Sequence, residues 1–106
     1  MSEHFYKYAN VTADKTFAPV KASTNELRIK TTGTFDGATV SIVEWMGDDA
    51  PPPTPSGDVR TPVSHTSSDG TKYDIGKYVW YWLVISGSGA STDITINITN
   101  ATNDNT

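Results

Sequence analysis

The chain has 106 residues, no cysteine, and twelve acidic against eight basic side chains, for a net charge of −4 and a pI near 4.8. Disulfides, thiolate metal sites and cysteine nucleophiles are excluded by count, a broad basic face for nucleic acid is disfavoured, and no stretch approaches the roughly eighteen apolar residues of a membrane span. Residues 1–106 fit one domain, which at this length buries roughly 65% of its unfolded surface, so packing alone must hold the fold.

The N-terminus lacks the basic-then-apolar pattern of a signal peptide; the expectation is synthesis in the cytoplasm. Yet 16 Thr, 10 Ser, 6 Asn and 8 Gly resemble the composition of an exported β-domain. Residues 3–22 carry Phe5, Tyr6, Tyr8, Val11, Phe17 and Val20 without a helical stripe. They predict one or two short strands or an arm over residues 1–20, with Pro19 marking an edge. Asn25 to Phe35 alternates as a half-buried strand, with Leu27, Ile29, Thr31 and Phe35 on one face. Asp36-Gly37 then predicts a type I′ hairpin turn, because both central residues need positive φ. The returning strand adds Ala38, Val40 and Ile42 to the same core and places Thr39, Ser41, Val43 and Trp45 on the other face.

Gly47 to Gly57 holds four prolines and is a stiff surface loop of polyproline character, either a connection or a ligand for a proline-recognising groove. Val59 to Thr66 is an edge strand interrupted by Pro62. A three-residue loop, Ser68-Asp69-Gly70, then predicts a hairpin pairing Val63 with Ile75 and His65 with Tyr73. Lys77 to Gly87 holds four of the eleven aromatic residues and reads as the central strand. Val79, Tyr81, Leu83 and Ile85 share one face and Tyr78, Trp80, Trp82 and Val84 the other, both apolar. Asp93 to Thr99 turns Ile94, Ile96 and Ile98 inward and is expected beside the central strand, followed by a frayed tail over residues 100–106. The fold class is all-β: an antiparallel seven- to eight-stranded sandwich or small jelly-roll-like barrel.

Chemistry is thinly represented. The two histidines, His4 and His65, are too few for a histidine zinc site. Ser64 and His65 are neighbours on a strand and point to opposite faces, so they cannot share a proton, and His65 reads as a buried or edge residue. Asp48, Asp49 and Asp58 lack the spacing of a dedicated calcium loop and read as solvated loop charge. The sequons at Asn10, Asn97 and Asn100 are what a Thr- and Asn-rich chain produces by chance. No catalytic residue, metal ligand or cofactor site is assigned, and the expectation is a protein that is not an enzyme.

The aromatic face remains. Trp80 and Trp82, two apart on one strand, form a platform with Tyr78 beside them and Val84 continuing the row; it is covered by the N-terminal segment, buried at a subunit or partner interface, or open to stack on sugar rings. As interface anchors the order is Trp82, Trp80, Tyr78, Trp45, since large aromatics bury much area with few rotatable bonds.

The segments Gly33-Thr-Phe-Asp-Gly-Ala-Thr-Val-Ser-Ile42, Gly76-Lys-Tyr, Tyr81-Trp-Leu-Val-Ile-Ser-Gly87 and Thr92-Asp-Ile-Thr-Ile-Asn-Ile98 resemble small tailed-bacteriophage virion proteins of β-sandwich type, the capsid decoration and head-fibre class. Such sequences often carry a basic residue where Trp82 stands and a compact Asp-Gly-Gly turn where the Pro51–Pro55 loop stands. The resemblance implies a non-enzymatic virion protein that binds and stabilises the capsid shell. Its implied partners are the major capsid protein or another virion protein, and copies of itself, with a trimer favoured; nucleic acid and membrane are not among them. The alternative is a carbohydrate- or receptor-binding module of tail-fibre type.

Overall fold

The computed structural model describes the backbone of residues 3–76 and 78–101, and side chains from residue 6 to residue 100 apart from residue 77. Nine strands follow in order: β1 (Glu3–Val11), β2 (Lys15–Thr16), β3 (Val20–Lys21), β4 (Glu26–Thr34), β5 (Thr39–Trp45), β6 (Val59–His65), β7 (Asp69–Asp74), β8 (Trp80–Ser86) and β9 (Asp93–Ala101). Two antiparallel sheets face each other. The first has the order β1-β9-β4-β7, and the second β2-β8-β5-β6 with β3 also on β8. β2 and β3 together make one interrupted edge strand, with Pro19 in the gap.

The pairings are nested. β1 pairs with β9, β2 and β3 with β8, β4 with β7, and β5 with β6, as in one long antiparallel ribbon folded at the β5–β6 loop. Rolling that ribbon adds the lateral pairs β4·β9 and β5·β8 and closes the two sheets. This is the strand order of a jelly roll. The core between the sheets contains Leu27, Ile29, Val40, Ile42, Val63, Tyr81, Leu83, Ile85, Ile94, Ile96 and Ile98, each at most 4% exposed.

Three expectations are corrected, all about partners and none about faces. Asp36 and Gly37 do have φ of 47° and 88°, and Ala38 donates to the Phe35 carbonyl at 2.9 Å, so the tight turn forms. It joins strands of different sheets, however, and carries the chain across the sandwich. β4 stays paired with β9 as far as Thr34, and at Gly33, whose φ is 119°, the two backbones come so close that a Cβ would sit 2.2 Å from the Asp93 carbonyl oxygen. The expected β6–β7 hairpin likewise crosses between sheets. Val63 pairs with Ile42 and His65 with Val40, whereas β7 pairs with β4. Finally, β9 lies in the sheet opposite β8, so its isoleucines meet Tyr81, Leu83 and Ile85 across the core and not beside them.

Of the short strands or arm expected over residues 1–20, the structure has strands: residues 3–11 form the edge of the first sheet on β9, with Tyr6, Tyr8 and Val11 packed on the core. The expected tail is corrected at its start. Asn100 belongs to β9 and is 2% exposed. Its amide donates to Thr24 Oγ1 and to the Glu26 carbonyl, and its oxygen accepts from Ser23 N at 2.8 Å. The rest of the expected tail, residues 102–106, lies outside the described residues, as do Lys77 and the side chain of Phe5.

Polar groups inside the sandwich are individually held. His65 is 3% exposed, with Nδ1 2.9 Å from Thr31 Oγ1 and Nε2 2.7 Å from Thr71 Oγ1. It ties the second sheet to the first. Glu44 is 2% exposed and accepts from Arg60 Nε through Oε1 at 2.6 Å, while its Oε2 and the hydroxyls of Tyr73 and Tyr81 are buried without a hydrogen bond. Burial pushes the Tyr73 and Tyr81 hydroxyls well above the usual tyrosine range, and Glu44 adds to the shift at Tyr73. Burial, and Tyr6 secondarily, raises Tyr8 as well.

These tyrosines bind their protons more tightly folded than unfolded, so their contribution is intact below about pH 10 and is lost above it, as the unfolded chain ionises first. Stability should therefore fall by up to about 1.4 kcal/mol per pH unit for each of Tyr73 and Tyr81. The share of the tyrosinate absorbance that belongs to Tyr73 and Tyr81 should accordingly appear only together with loss of the β-sheet circular dichroism signal. Ionisation of all five tyrosines near pH 10 with the sheet signal intact would contradict this burial.

Candidate functional site

The outer face of β8 decides where a site can be. Trp82 is fully buried, and Tyr6, Tyr8 and Phe17 of the N-terminal segment pack on the core between the sheets. The cover is the proline loop between β5 and β6. Trp82 Nε1 donates to the Pro52 carbonyl at 3.2 Å, Trp45 Nε1 donates to the Asp49 carbonyl at 2.7 Å, and the two indoles meet edge to face at 6.0 Å between centroids. Met46 N closes the loop on the Asp58 carbonyl at 2.8 Å.

Glycine lets the loop grip Trp45. A Cβ on Gly47 would lie 2.4 Å from Trp45 Cζ2, and one on Gly57, whose φ is 77°, would touch the other side of the benzo ring at 3.8 Å. The prolines limit the conformations available before folding, so the lid orders at reduced entropic cost. Trp82, the first of the anchors expected from the sequence, is thus spent on holding this lid. It is a core residue of a small second cluster and offers no surface to a partner.

The other three aromatics reach the surface together. Trp80 and Trp45 are half-buried, Tyr78 is 60% exposed, and with Lys21, Gly47, Asp48, Asp49 and Val79 they line a cleft of about 270 Å³. Register explains the position of Lys21, which pairs with Trp80 across β3 and β8. Its Nζ stands 5.4 Å from the Tyr78 ring centroid and 6.0 Å from that of Trp80, within cation–π range.

Tyr78 is held out by a strained turn. Its φ is 72°, a region that costs a residue with a Cβ about 1–3 kcal/mol. The surrounding hydrogen bonds impose it: Tyr78 N to the Ala22 carbonyl, Ala22 N to the Val79 carbonyl, and Val79 N to the Gly76 carbonyl, at 2.8, 2.8 and 3.0 Å. An exposed aromatic in a strained, over-determined turn is the kind of local cost that marks functional positions.

A second surface lies on the opposite side of the molecule. On the outer face of the first sheet, Lys7 pairs through Asn97 with Lys30, and Thr99 pairs through Arg28 with Lys72. Half of the eight basic residues therefore share one flat, polar face of an acidic protein. Arg28 is bonded to Glu26 at 3.1 Å, and among the described residues Lys7, Lys30 and Lys72 form no ion pair. Arg28 and Lys72 stand directly opposite each other, an arrangement that is unfavourable for like charges. A shallow depression of about 460 Å³ opens over Gly70 between Arg28, Lys30, Lys72, Asn97 and Thr99. Sequence reading missed this face because its cations come from three strands and never run together in the chain.

Among the described residues, no three His, Asp or Glu side chains come close enough to hold a metal ion. The two surfaces differ in chemistry: one is aromatic and mixed in charge, the other polar and cationic. No family model, curated protein or solved structure matches the chain.

Trp82→Ala should cost about 3–5 kcal/mol through the cavity and the lost lid, lowering the melting temperature by 12 °C or more at roughly 4–8 °C per kcal/mol. The molar mass by light scattering should be the same as that of the wild type. An altered mass with unchanged melting temperature would return Trp82 to the interface.

Proposed function

We propose that the chain is a non-enzymatic structural protein of a tailed-phage virion, which binds the assembled capsid shell and decorates it. The observation that carries the proposal is the nested jelly-roll strand order, an architecture used by viral capsid domains, and by lectins and cupins. A fold alone does not assign a function; the sequence resemblance to decoration proteins favours the first of these classes.

The shell-facing surface in this proposal is the outer face of the first sheet. It is flat, and its Lys7, Arg28, Lys30 and Lys72 are complementary to an acidic capsid surface. Binding the closed shell and not its dissociated parts stabilises the shell by mass action. An oligomer, the trimer in particular, would multiply a modest affinity per copy by avidity. The sheet carrying the proline lid and the aromatic cleft then faces away from the shell.

Mass spectrometry of gradient-purified particles should find the chain in fixed ratio to the major capsid protein. Purified protein should rebind stripped shells with an affinity that falls as salt is added. Lys30→Glu combined with Lys72→Glu should weaken it at least about tenfold. Absence from the particles would overturn the virion assignment, and salt-insensitive rebinding untouched by the charge reversals would overturn the choice of face.

A further inference from the structure

We infer that the cleft between Tyr78, Trp80 and Trp45 is a binding site for one pyranose ring of a neutral glycan. The inference stands apart from the virion assignment, since it rests on the cleft alone. A volume of about 270 Å³ lies just below the roughly 300–1,000 Å³ of sites for drug-sized ligands, which suits a single sugar residue. The exposed rings offer negative π-faces, against which the C–H face of a pyranose can lie.

The polar groups narrow the ligand class. Asp48 and Asp49 supply carboxylate acceptors, and the Lys21 ammonium supplies donors. A polyol, whose hydroxyls both donate and accept, can use all of them. An anionic ligand is opposed by the two carboxylates and by the net charge of −4. A quaternary ammonium is opposed by the like charge of Lys21, whose Nζ stands 5.4 and 6.0 Å from the Tyr78 and Trp80 ring centroids, whereas a neutral sugar meets no such repulsion. Geometry shows the site to be built in advance: the loop fixes Trp45 and the strand register fixes Trp80. The turn at φ 72° holds Tyr78 outward, in a conformation glycine would adopt more readily.

That last point provides a test in which binding and stability move in different directions. The full chain is titrated with the methyl glycosides of glucose, galactose, mannose and N-acetylglucosamine at millimolar concentration, read by tryptophan fluorescence and by NMR. At least one should bind saturably, and choline should not displace it. Trp80→Ala and Tyr78→Gly should each weaken binding at least about tenfold, and Tyr78→Gly should melt no lower than the wild type. Should Trp80→Ala fail to fold, Tyr78→Gly alone decides. The inference is overturned if none of the four glycosides binds, if choline displaces the sugar, or if Tyr78→Gly keeps full affinity.

Discussion

The structure depends on one constraint: a central strand that is apolar on both faces must be covered twice. A jelly roll covers one face of β8 with the opposite sheet, where Tyr81, Leu83 and Ile85 meet the isoleucines of β9. The other face would normally be wet. Burying an indole of roughly 200 Å² at about 25 cal/mol per Å² contributes up to about 5 kcal/mol, so an exposed Trp82 would forgo a large share of a small domain's stability. The proline loop resolves this from within the chain, and its two hydrogen bonds satisfy the only polar atoms the indoles carry.

Much of the rest follows from that lid. Because the loop seals Trp82 but stops at Trp45, the aromatic surface is divided into a buried half and an open cleft. Because β3 pairs with β8 at the same end, Lys21 and the Tyr78 turn complete the cleft. At the other end, Asp14 accepts from Ser88 N and Asp36 from Ser91 N, each at 2.8 Å, so the connecting loops brace one another. The hydrogen bonds from Ser88 hold the Asp14 carboxyl below the usual carboxylate range. Among the described residues the outer face of the first sheet carries no comparable lid and stays cationic. The molecule thus has two chemically different sides, fixed by which sheet received the loop.

The faces of the strands were legible in the sequence and their partners were not. Leu27, Ile29, Val40, Ile42, Leu83, Ile85 and the three isoleucines of β9 all point where alternation places them, because period-two burial is a local property of a strand. Pairing is not local. Asp36-Gly37 encodes a tight turn whether the flanking strands join or part, and what parts them is pairing far along the chain, since β4 takes β9 and β7 as partners and β5 takes β8 and β6. The same alternation that turned Val40 and Ile42 inward also pointed Glu44 inward, a charged residue that pattern reading passes over. For the candidate site, the aromatics were visible as a group. Their division into a lid anchor and a surface cleft was not, since it depends on where a thirteen-residue loop lands, between Trp45 and Val59.

The central claim is that the proline loop, and no partner, seals the outer face of β8. Hydrogen exchange at the indole N–H of Trp82, followed by NMR on the isolated chain at a concentration where light scattering shows a monomer, tests it directly. The account predicts slow exchange, and rapid exchange once Pro51, Pro52 and Pro53 are replaced by glycine. An indole that exchanges as fast as free tryptophan in the intact monomer would contradict it.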